Sequence, residues 1–89
     1  MAMKPIRALM LPNKASIRVD LIAQVVAYAE GVGILNDRNR MIGWIEIYAQ
    51  DEAARADHFD FVLETLNKLV NNPRQAEQPD WSRLHEGTL

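Results

Sequence analysis

The chain has 89 residues, a net charge of −2, 48% hydrophobic and 25% charged residues, and no cysteine. For a 10.1 kDa chain, surface scaling has folding bury about 64% of the unfolded surface, enough for one modest core and too little for a deep cleft between two lobes. The charge gives no field favouring nucleic acid or an anionic membrane. The missing cysteines exclude disulfides, thiol chemistry and cysteine-ligated zinc or iron–sulfur sites.

The N-terminal "MAMKPIRALML" carries an apolar run at 6–11 that Arg7 interrupts and Pro12 stops. A secretory core needs a longer unbroken run and a small-residue cleavage site, so the run reads as a strand. No stretch approaches the roughly 20 apolar residues of a membrane-spanning helix. This composition is compatible with a cytosolic protein.

"PNK" then suits a turn, and "SIRVD" alternates, with Ile17 and Val19 facing one way and Ser16 and Arg18 the other. The segment "LIAQVVAYAE" fits two patterns. Ile22, Val25, Val26 and Ala29 have helical spacing, while Val25, Val26 and Tyr28 favour a strand. We read a tight turn at 20–23 followed by a strand.

"EGVG" turns the chain or forms a glycine-softened bulge, and "NDRNR" turns it again into "MIGWIEIYA". Asparagine and aspartate gather at hairpin tips because they tolerate positive φ and bond their own turns. In the last strand Ile45 and Ile47 face one side, and Trp44, Glu46 and Tyr48 the other.

Residues 51–72 read as an amphipathic helix. Asp51 caps it, Glu52 suits the positive end of its dipole, and "NNP" ends it with Pro73. Phe59, Val62, Leu63, Leu66, Leu69 and Val70 form the expected apolar stripe, and Glu64 and Lys68 stand four apart. Phe61 falls about 160° from Leu63 by the roughly 100° helical step, among Asp57, Asp60, Glu64 and Lys68. After Pro73 the chain becomes polar, and its "PDWSRL" holds Trp81 and Leu84 behind a capping Asp80. Trp81 has three candidate seats: Phe61 of its own chain, the open sheet face, or another molecule.

His58, beside Asp57 and Asp60, has no partner three or four residues away with which to share a metal. It reads as a solvated helix residue. "GVG" at 31–33 lacks the third glycine and following helix of a dinucleotide fingerprint, so it reads as a turn. Ser16 has no histidine near it in sequence, and nothing resembles a nucleophile elbow. Catalysis, metals and cofactors are therefore not expected.

Val19, Asp20, Ile22 and Val25 make a V-D-x-I-x-x-V segment after the first hairpin turn. In this the chain resembles small flagellar proteins of the FlbD type. The resemblance implies extended structure for residues 24–30. The long helix and the tryptophan-bearing tail depart from that pattern, and no function is carried over.

The expected fold is α+β: an antiparallel sheet of three to four strands, one long C-terminal helix packed on one face, and an extended tail. Residues 1–72 form the domain, and 73–89 a loosely held tail. One helix covers one sheet face, so rings on the other meet a partner, most economically a second copy. The expected role is a small non-catalytic interaction protein that forms a homodimer or meets another protein. Its candidate interface is Tyr28, Trp44, Tyr48, Phe61, Trp81 and Leu84. Two alternatives remain. One is a nucleic-acid-binding regulator using Arg38 and Arg40 of the 36–40 loop with Arg18, which the acidic helix weighs against. The other is a small-ligand sensor with its site under the helix.

Overall fold

A computed structural model of the chain describes residues 7–72 and 78–85. It is an α+β domain. Strands β1 (Ala8–Met10) and β2 (Ser16–Arg18) form a two-stranded antiparallel sheet, and β3 (Gln24–Ala27), β4 (Gly31–Leu35) and β5 (Met41–Glu46) a three-stranded one with β4 in the centre. Helix α1 (Glu52–Asn71) packs against β3 and β4. Where the sequence suggested a single sheet, the chain breaks it after β2. A 3₁₀ turn at Val19–Leu21, fastened by the Ile22 amide on the Val19 carbonyl, redirects the chain into β3. The turn-then-strand reading of this segment holds for Gln24–Ala27, while residues 29 and 30, expected to be extended, form the next turn.

Two hairpin loops share one design. In the first, the Leu11 amide donates to the Ala15 carbonyl and the Lys14 amide to Leu11; in the second, Asn36 donates to Arg40 and Asn39 to Asn36. Lys14 (φ 69°) and Asn39 (φ 61°) take the left-handed conformation that this three-residue loop demands. Asparagine tolerates it at little cost, and lysine bears the usual Cβ penalty. Between β3 and β4 the turn is Ala29 and Glu30, closed by the Tyr28 amide on the Gly31 carbonyl. Gly31 and Gly33 therefore lie in the central strand, not in a turn as "GVG" suggested.

One core joins all elements. Leu9 and Leu11 enter it from the first hairpin, Val32, Ile34, Ile45 and Ile47 from the second sheet, and Val62, Leu66 and Leu69 from α1. Asp51 caps the helix, accepting from the Ala54 amide at 3.0 Å, and the Asn72 amide closes the other end on the Lys68 carbonyl. Pro73 lies outside the described residues.

The buried stripe of α1 is His58, Val62, Leu66 and Leu69, rotated from the expected one. Phe59 and Leu63 are only half-buried and Val70 is exposed. Arg55 accounts for the rotation: its guanidinium donates to the carbonyls of Ile47, Ala49 and Ala29, pinning the helix start to the ends of the sheet. His58 is consequently 1% exposed, where a solvated residue was expected.

The tail expectation also needs correction. Residues 78–84 lie on the domain. The Gln78 side chain meets β1 as another strand would, its amide nitrogen donating to the Ala8 carbonyl at 2.7 Å while its oxygen accepts from the Met10 amide at 3.2 Å. The Trp81 indole donates to the Met10 carbonyl at 2.6 Å. Leu84 enters the core, 3% exposed. Residues 73–77 and 86–89 lie outside the described residues.

Candidate functional site

The surface left open is the face of the three-stranded sheet that turns away from α1. Alternation puts Val32, Ile34, Gly43 and Ile45 on the core side, which leaves Gly31 and Gly33 on the other, with Gly33 opposite Trp44. Rings lie across these two glycines. A Cβ at Gly31 would stand 2.8 Å from the Trp44 ring, and one at Gly33 would stand 2.8 Å from Tyr28 and 2.9 Å from the Met41 methyl. Tyr28 and Trp44 meet with centroids 5.8 Å apart at 43°. The Trp44 indole N–H donates to the Glu46 carboxylate two residues on along the same face. The glycines thus make a shallow bed that half-buries Trp44. Tyr48, Met41 and Tyr28 remain 64%, 50% and 43% exposed.

Met41 belongs to this face, which strict alternation does not show. Counting by twos from Ile45 sends position 41 into the core. A bulge pairs Leu35 with Met41 and leaves Ile42 as the extra residue, which reverses the parity at the strand start.

Of the six residues expected at an interface, the structure brings Tyr28, Trp44 and Tyr48 onto this face and removes the other three. Phe61 is half-buried under the tail, with Trp81 edge-on at 6.0 Å and the Arg83 guanidinium 5.1 Å from its ring centre. Arg83 in turn pairs with Asp57 at 2.9 Å. Asp80 holds this turn by accepting from the Ser82 amide at 3.0 Å. Bonding from the Ser82 side chain, then from its backbone, holds the Asp80 carboxyl below its ordinary value, slightly opposed by desolvation. With Leu84 in the core, the chain itself provides what Phe61, Trp81 and Leu84 were expected to seek elsewhere.

The three arginines do not converge. Arg18 sits on β2 in the other sheet and forks onto Asp20 at 3.1 and 2.6 Å. Arg38 and Arg40 flank the β4–β5 loop, whose polar needs are met locally: the Asn36 side-chain oxygen accepts from both their amides, at 2.9 and 3.0 Å. Their guanidinium groups have no ion-pair partner among the described residues. An open groove of about 780 Å³, lined by Arg7, Ala8, Arg18, Val19, Asp20, Ile22 and Val70, lies beside the last helical turn.

Among the described residues no three histidines or acids gather closely enough to hold a metal ion, and no helix is long and apolar enough to cross a membrane. His58 Nδ1 is buried without a hydrogen-bond partner among them. No protein-family model, curated protein or solved structure matches the chain.

Proposed function

We propose that the protein is a small, non-catalytic, cytosolic interaction module that self-associates through the open face of its three-stranded sheet. The supporting observation is the ring-lined face itself. Phe61, Trp81 and Leu84 find cover within the chain, whereas Tyr48, Met41 and Tyr28 stand in water around the half-buried Trp44. Contiguous apolar surface of this kind is removed from water most economically by a second copy. The carboxylate of Glu46 at the β5 margin of the face, and the separation of Arg18 from Arg38 and Arg40, favour a protein partner over a nucleic-acid backbone.

Light scattering over a dilution series tests the proposal, comparing the native chain with a Met41→Ser/Tyr48→Ser protein. Neither side chain is part of the core, so the double variant is expected to fold. The native chain should give a dimer at tens of micromolar that dissociates on dilution, and the variant should remain a monomer. A native chain that is monomeric throughout rules the proposal out.

A further inference from the structure

The domain treats its strand edges unequally. Exposed edges invite pairing with another chain, and proteins blunt them by brevity, charge or cover. The outer edge of β1 is plugged by the Gln78 amide and the Trp81 indole. Strands β2 and β3 are three and four residues long. Strand β5 is the longest, at six residues, and it lies at the margin of its sheet.

The outward groups of β5 follow from its pairing. The Ile47 amide donates to the Glu30 carbonyl. In an antiparallel ladder, inward-facing residues alternate with outward-facing ones, so Ile45 and Gly43 also face β4 while Trp44 and Glu46 turn their N–H and C=O groups outward. No backbone hydrogen bond among the described residues takes up these groups. A groove of about 350 Å³ runs beside them, lined by Trp44, Ile45, Glu46 and Tyr48 together with Pro12 and Leu84 of the same chain.

We propose that this edge pairs antiparallel with β5 of a second copy, about a two-fold axis near Ile45, to give a continuous six-stranded sheet. This inference rests on the self-association reading and names the element that carries it. With that axis, Trp44 and Glu46 of one copy exchange both backbone hydrogen bonds with Glu46 and Trp44 of the other.

The charges choose a second copy over another strand. One end of the sheet carries Arg38 and Arg40 beside Asp37. The other carries the carboxylates of Glu30, Asp51 and Glu52, which outnumber the single guanidinium there, Arg55, bonded to backbone carbonyls. Antiparallel pairing sets the basic end of each copy against the acidic end of its mate, twice per dimer. It also sets the two open faces side by side, so that Tyr48 of each copy covers the Met41 end of the other, and this contact shields those two side chains.

The test compares Glu46→Pro with Glu46→Gln by sedimentation, beside backbone hydrogen exchange on the unmodified chain. Both substitutions remove the carboxylate, and only proline removes the outward N–H, which an edge strand tolerates. The Glu46→Gln protein should still dimerise, and the Glu46→Pro protein should lose at least tenfold in affinity while keeping the native circular dichroism spectrum. In the unmodified chain the amides of Trp44 and Glu46 should become protected as dimer forms. A dimer in which both amides exchange freely, or one that a folded Glu46→Pro protein retains, overturns the edge pairing and leaves self-association standing. A chain that is monomeric at every concentration overturns both.

Discussion

Replacing Gly31 and Gly33 separately by alanine tests how the ring-lined face is built. The two glycines neighbour one another on the same side of β4, yet a methyl group meets different obstacles at each. At Gly31 it would collide with the Ile45 carbonyl oxygen and stand 2.8 Å from the Trp44 ring; the first is backbone and has nowhere to go. At Gly33 it would meet the Tyr28 ring edge and the end of Met41, both free to swing into solvent. Overpacking costs about 1–3 kcal/mol, and alanine returns about 0.4–1 kcal/mol by restricting the unfolded chain. The balance for Gly31→Ala is a loss of about 1–2 kcal/mol, or about 5–15 °C in Tm for a domain of this size. For Gly33→Ala the balance is near zero. Thermal unfolding followed by circular dichroism measures both, and Trp44 fluorescence should report displacement of its ring in the Gly31 variant. A Gly31→Ala protein as stable as the parent, or a Gly33→Ala protein that is the less stable of the two, refutes the reasoning.

Three further predictions concern single residues. His58→Leu fills the same buried position without an unpartnered nitrogen and should stabilise the chain by about 1–2 kcal/mol in denaturant titration; destabilisation would mean the imidazole has a partner. Lys14→Gly relieves the left-handed strain at φ 69° and should raise stability by up to about 1 kcal/mol, net of the glycine's extra freedom when unfolded; a lower Tm contradicts the loop geometry. The Asp80 carboxyl is held below its ordinary value of 3.8, so its contribution is complete above that value and is lost as the pH falls through its lower folded value. Trp81 fluorescence should therefore shift on acidification below about pH 4, and an Asp80→Ala protein should show the altered emission already at neutral pH. A native signal that does not change with pH, or an Asp80→Ala emission identical to the native one, would show that the cap does not hold the turn.

Local chemistry made much of the fold legible. Asp51 announces the helix start because a capping side chain acts three residues away, on Ala54. The alternation of Ile45 and Ile47 with Trp44, Glu46 and Tyr48 fixes the two faces of β5 because the pleat has a period of two. What the sequence hid was settled by distant partners. The rotation of α1, which draws His58 in and leaves Val70 out, depends on Arg55 reaching the Ala29 carbonyl 26 positions away. The docking of Gln78 and Trp81 depends on backbone groups of β1 some 70 positions earlier. Phe61 looked unpartnered only because its cover comes from that segment. Within the candidate surface, Tyr28, Trp44 and Tyr48 were readable from alternation, and Met41 was not, because one bulged residue reverses the count.

Self-association through the sheet turns on which surface the folded chain leaves unfinished. Oxidative footprinting of dilute and concentrated samples measures this directly. Tyr48 and Met41 should be labelled readily in dilute solution and become protected together as the concentration rises, while Leu21, exposed elsewhere on the domain, labels equally in both. Labelling of Tyr48 and Met41 that does not change with concentration, or protection that falls on Leu21 instead, would contradict it.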